Sequence, residues 1–189
     1  PKGQYDVWIV KLTSTGTVSW QKSFGGTAVD EAYAVQQTSD GGYIIAGDSR
    51  SNNYDLTLNN GISDFWVIKI DGLGAIQWQK ALGGSGTDIA FAVQQTSDGG
   101  YVVSGSSNSN NVDVTGNNGG VDIWVVKLSS TGSIQWQKSL GGTGSDVAAA
   151  IKQTSDGGYI IGGKTDSNNG NVSGNNGAEN AWVVKLTST

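Results

Sequence analysis

A period of 58 residues constrains this chain more than any other feature. Trp8, Trp66, Trp124 and Trp182 recur at that step, Trp20, Trp78 and Trp136 follow at the same spacing, and these seven are all the tryptophans present. Asp30, Asp88 and Asp146 keep the step, as does the heptapeptide QTSDGGY at Gln37–Tyr43, Gln95–Tyr101 and Gln153–Tyr159. Self-similarity at such a period is the mark of an array whose units bury their apolar faces against one another. The units run about 7–64, 65–122 and 123–180, and 181–189 repeats the opening of a fourth. No linker-like stretch separates them, so 1–189 reads as a single repeat domain.

Inside a unit the apolar positions alternate with the period of a strand. Trp124, Val126 and Leu128 fall on one face and Val125 and Lys127 on the other; Ile134, Trp136 and Lys138 share a face of the next run. Ser129–Ser133 and Gly141–Asp146 are turns, rich in the residues that turns use. Val147–Gln153 is Ala-rich, but its short length between glycine turns favours strand over helix. In QTSDGGY, Asp-Gly stands between two apolar runs, a hairpin signal because glycine supplies the positive φ of the turn. Thirty glycines and one proline fit many turns between short strands. The prediction is an all-β, β-propeller-like array of three four-stranded antiparallel repeats, plus one extra strand from a fourth. A β-trefoil, which also has three four-stranded repeats, is the alternative, and an open β-solenoid a further one.

Composition narrows the chemistry. The chain lacks Cys, His and Met. It therefore has no Ser-His or Cys-His nucleophile pair and none of the commonest transition-metal ligands. The near-equal repeats also argue against one catalytic centre, so no enzyme is expected. The net charge is −5 and the lysines form no basic run, which disfavours nucleic acid as a partner. No apolar run approaches the ~20 residues of a transmembrane helix. The first residue is Pro1, which suggests processing or excision from a longer product.

The long polar segment after each fourth strand holds the ligand candidates. Asp48, Asp55, Asp64, Asp113 and Asp122 supply carboxylates of the kind Ca²⁺ takes, and no other cofactor is implied. The third unit departs from that pattern, with Asn171 and Asn180 where the earlier units have Asp. Asn53, Asn59, Asn60, Asn111, Asn117, Asn118, Asn169, Asn175 and Asn176 are candidate ligand loops; equally, they can satisfy loop backbone as Asx turns. The paired tryptophans are either glycan platforms or core between repeats, and core is the commoner use. The recurring lysines read as solvated, or paired with Asp30, Asp88 or Asp146.

The string WVVKL…IQWQK…GG…D.A…QTSDGGYIIAG…SN..DV.GNNG resembles the surface repeats of Bacteroidetes-type secreted proteins, and its hairpin is similar to quinoprotein-like propeller blades. The resemblance spans Gly3 to Leu186. It implies an extracellular or cell-surface module and leaves the activity open. Both ends of the chain interrupt the repeat. The expected function is therefore structural: a self-assembling subunit or segment of a surface adhesin or filament, with copies of itself as partner. Trp8, Val10 and Leu12 at one end and Trp182, Val183, Val184 and Leu186 at the other are the expected assembly residues, joined by strand complementation. Charged residues at Val183 and Leu186 are expected to disrupt that joint. The last strand completing the chain's own first unit is the internal alternative. A carbohydrate-binding propeller is the alternative function, with glycans as partners.

Overall fold

The computed structural model describes residues 2–56 and 58–188; Pro1, Thr57 and Thr189, which fall within the predicted repeat domain and extra strand, lie outside the described residues. Thirteen strands follow in order: β1 Val7–Leu12, β2 Val18–Phe24, β3 Asp30–Gln37, β4 Tyr43–Ser49, β5 Asp64–Ile70, β6 Ile76–Leu82, β7 Asp88–Gln95, β8 Tyr101–Ser107, β9 Asp122–Leu128, β10 Ile134–Leu140, β11 Asp146–Gln153, β12 Tyr159–Thr165 and β13 Asn180–Leu186. The Ala-rich run is a strand in all three copies. The fold is all-β.

The sheets are out of phase with the sequence repeat. Their strand orders are β1-β2, β3-β4-β5-β6, β7-β8-β9-β10 and β11-β12-β13, all antiparallel. Each four-stranded sheet takes the last two strands of one repeat and the first two of the next. The long polar loop joins β4 to β5, which pair from Tyr43↔Ile70 to Ser49↔Asp64. β13 pairs with β12 in the equivalent register, Tyr159↔Leu186 to Thr165↔Asn180. The last strand therefore joins its own third repeat and not the first sheet.

QTSDGGY is a hairpin tip. Gly41, Gly99 and Gly157 have φ of 79°, 80° and 81°, which a Cβ would disfavour. The Asp before each of them keeps a negative φ, and Gly41 N donates to Thr38 O at 3.0 Å. The tip is thus a type I turn closed by a left-handed glycine.

Strand alternation sends the two faces of each sheet into different cores. Trp66, Ile68 and Ile70 pack with Val7, Phe24 and Ile9 of the first sheet. From the same strand, Phe65 and Val67 pack with Trp124, Val126 and Leu128 of the third sheet. Ile123 and Val125 then meet Tyr159 and Ile161, with Trp182, Val184 and Leu186 beside them. The molecule is an open, propeller-like stack of sheets. No barrel of the kind a trefoil needs closes among the described residues.

Candidate functional site at the two end sheets

The internal sheets set the standard for the ends. In each, a lysine on the third strand reaches the hairpin-tip aspartate of its own sheet. Lys69 Nζ lies 2.8 Å from Asp40 Oδ2 and also donates to Gln77 Oε1 and Ile70 O. Lys127 repeats this with Asp98 at 2.9 Å, Gln135 and Leu128. Both ammonium groups are buried while the carboxylates are half-exposed. The lysine beside Asp98 holds its carboxyl down at about 2, and Asp40 is likewise held well below the usual range. Of the lysines expected to be solvated or paired with Asp30, Asp88 or Asp146, Lys69 and Lys127 are therefore buried clamps on the QTSDGGY aspartates, whereas Lys22, Lys80 and Lys138 are exposed.

Asp30, Asp88 and Asp146 have a different task. Each accepts the backbone N–H of Gly26, Gly84 or Gly142 at 2.7–2.9 Å. Ser49 and Ser51, Ser107 and Ser109, and Thr165 and Ser167 donate hydroxyls to the same carboxylates. Those hydroxyls were not singled out from sequence, although they recur at the same period.

The loop candidates are spent largely on the loop itself. Asn53, Asn111 and Asn169 accept from Thr27, Ser85 and Thr143 N at 2.8–3.0 Å. Asn59 and Asn117 donate to Ser49 O and Ser107 O, and Asn175 to Ser167 O. Asn60 and Asn118 give their backbone N–H to Asp64 and Asp122 at 2.8 Å. Asn176 is exposed.

Of the calcium candidates, Asp55 accepts from Gly25 N at 3.0 Å and Lys2 Nζ at 2.5 Å, and Asp113 accepts from Gly83 N at 3.3 Å. Asp48 sits apart on β4, buried, accepting the Ser63 hydroxyl; burial raises its pKa. Asp64 and Asp122 are buried, each with one carboxylate oxygen lacking a hydrogen bond. A Cβ on Gly83 would lie 2.6 Å from both Asp64 Oδ1 and Asp88 Oδ2, so the two acids enclose that glycine. Among the described residues no group of three or more acidic, His or Cys side chains is arranged to hold a metal ion.

The end sheets depart from this internal pattern. Trp8 is 66% exposed, whereas its equivalents Trp66 and Trp124 are buried. Leu12, Val35, Tyr33, Ile160 and Val183 are also exposed; the internal equivalents of Leu12, Ile160 and Val183 are fully buried. Val10, Trp182, Val184 and Leu186 are intermediate. The indoles of Trp8, Trp66 and Trp124 each donate to a glutamine on the adjacent strand: Gln21, Gln79 and Gln137. Trp182 lies on β13, whose one neighbouring strand among the described residues is β12.

A backbone-to-glutamine ladder also runs along the stack. Gln95 N donates to Gln36 Oε1 at 2.6 Å, and Gln153 N to Gln94 Oε1 at 2.7 Å. The third position in that series is Lys152, which has no acceptor. The Tyr33 and Phe91 rings meet at a tilt of 55° with centroids 5.3 Å apart, and Ala149 takes the next position in that series.

No protein-family model matches this chain, and no curated protein matches it.

Proposed function

We propose that this chain is a structural β-repeat module that assembles with copies of itself, as the subunit or a segment of an extracellular adhesin or filament. The observation that carries the reading is the fit between its end sheets. The first sheet holds only the third- and fourth-position strands of a four-stranded sheet, and the last holds the first three. Each exposes apolar side chains of the type that the internal sheets bury. A joint between such unlike ends is head-to-tail, and its repetition gives a ring or a filament according to whether the rotation closes. The use of the loop asparagine amides within the chain supports assembly over glycan binding by those loops. Negative-stain electron microscopy of concentrated protein tests the reading: rings or fibres are expected, and a field of uniform single subunits would reject it.

A further inference from the structure

Resting on that reading, we infer that the joint is a strand exchange in which the β1–β2 hairpin of a second copy takes the place of β13 on β12. Sequence named residues of both end strands for the joint; in this exchange β13 is the occupant that is displaced.

β13 is a weaker copy of the strand it imitates. It carries Asn180 and Ala181 where β5 has Asp64 and Phe65 and β9 has Asp122 and Ile123. Its Lys185 clamps Asp156 at 2.7 Å but is 40% exposed, against 3% and 4% for the internal lysines. The incoming hairpin brings a complete set: Asp6, Val7, Trp8 already bonded to Gln21, and Lys11. In its own chain Lys11 lies over the Tyr43 ring, 5.7 Å from the centroid; on β12 of a second copy it meets Asp156.

The turn of the hairpin fits as well. Gly74 and Gly132 are pressed on Trp20 and Trp78, where a Cβ would come within 3.3 and 2.9 Å of the ring. Gly16, their equivalent in the β1–β2 turn, has nothing within 4 Å of its Cβ position. Trp136 is the next tryptophan in that series. It lines a groove of about 620 Å³ with Tyr159, Lys138 and Leu186, beside β13 where a fourth strand of that sheet would run. Exchange seats Gly16 on Trp136 and β2 in this groove. It also places Trp8 against the third sheet, and Tyr33 and Val35 against β11. It thus covers Trp8, Leu12, Tyr33, Val35 and Ile160 with partners of the kind found inside, while Val183 leaves with the displaced β13.

Locking β13 tests this. Gly162 and Val183 oppose each other across β12 and β13, and the Cβ position of Gly162 is open. Opposed strand residues have Cα atoms ~4.5–5.5 Å apart, within disulfide reach. The chain has no other cysteine. The Gly162→Cys/Val183→Cys chain is expected to lose self-association when oxidised and regain it on reduction, read by light scattering. Equal association of the oxidised and reduced forms would overturn the exchange while leaving self-assembly standing. Absence of association in the unmodified chain at every concentration would overturn the assembly reading itself. As a second measurement, chains with Ile9→Cys mixed with chains with Gly162→Cys should give a disulfide-linked heterodimer, because exchange sets residue 9 opposite 162. Cross-linking no faster than between two exposed cysteines would reject that register.

Discussion

Replacing Asp98 with Ala isolates the effect of the buried clamp. Lys127 keeps Gln135 Oε1 at 2.9 Å and Leu128 O at 3.1 Å but loses its only carboxylate partner among the described residues. Removing one partner of a fully buried pair costs ~3–5 kcal/mol, because a charge is left without compensation. Here the carboxylate side chain is 54% exposed, so water can replace part of what it supplied. Discounted for that screening, the expected loss is roughly 1–2 kcal/mol. In a chain of this size that lowers the melting temperature by about 2–8 °C. The repeat supplies an internal control. Asp156→Ala breaks a bridge of similar length, 2.7 Å, to a lysine that is 40% exposed, and should shift melting far less. Adding Lys127→Met to Asp98→Ala should recover most of the loss, since no buried charge then remains. Thermal melts followed by tryptophan fluorescence measure all three. Equal losses for Asp98→Ala and Asp156→Ala would refute the argument that burial of the lysine sets the cost.

Three further outcomes follow from the same geometry. Gly83→Ala should destabilise by ~1–3 kcal/mol through overpacking, since its Cβ would lie 2.6 Å from two buried carboxylate oxygens; chemical denaturation reads this against Gly16→Ala, where the space is open but φ is +81°. Burial, with Asp88 and Asp113 close by, pushes the Asp64 carboxyl up to about 6 despite the opposing Asn60 hydrogen bonds. Its folded pKa exceeds the unfolded value of ~3.9, so stability should rise as pH falls from 6 toward 4. The contribution of Asp98, held at about 2, is present above its unfolded value and fades only below about pH 4. Melting temperature should therefore peak in mildly acidic buffer, and Asp64→Asn should flatten the slope between pH 4 and 6. Lys152→Gln restores an acceptor to the ladder at the joint, opposite Gln37 of the next copy. It should tighten self-association about five- to tenfold, the equivalent of one hydrogen bond of ~1 kcal/mol, in sedimentation measurements.

The strands were legible because alternation and turn chemistry are local. Trp124, Val126 and Leu128 share a core as their spacing requires, and SDGG is the hairpin tip in each copy. Sheet membership was not legible. Alternation assigns faces, but it does not say that β4 pairs with β5 across a long loop instead of closing onto β1. The partner of Lys127 escaped for the same reason. Asp98 lies 29 residues away in sequence, and only the β8–β9 pairing brings the tip beside it. The loops hid backbone strain too: Tyr54 and Val112 have φ of 58° and 59° at a position where the third repeat has Gly170 at 65°. That glycine was the one signal in the sequence. The end-sheet residues were legible as a set because they break a repeat. The proposed displacement of β13 was not, since it is argued from Asn180, Ala181 and the groove at Trp136 together.

The mass of the unmodified chain as a function of concentration tests the central claim most directly. Sedimentation equilibrium should show species at multiples of 19.5 kDa whose share grows with concentration. A constant 19.5 kDa across the whole range, with the sheets intact by circular dichroism, would contradict it.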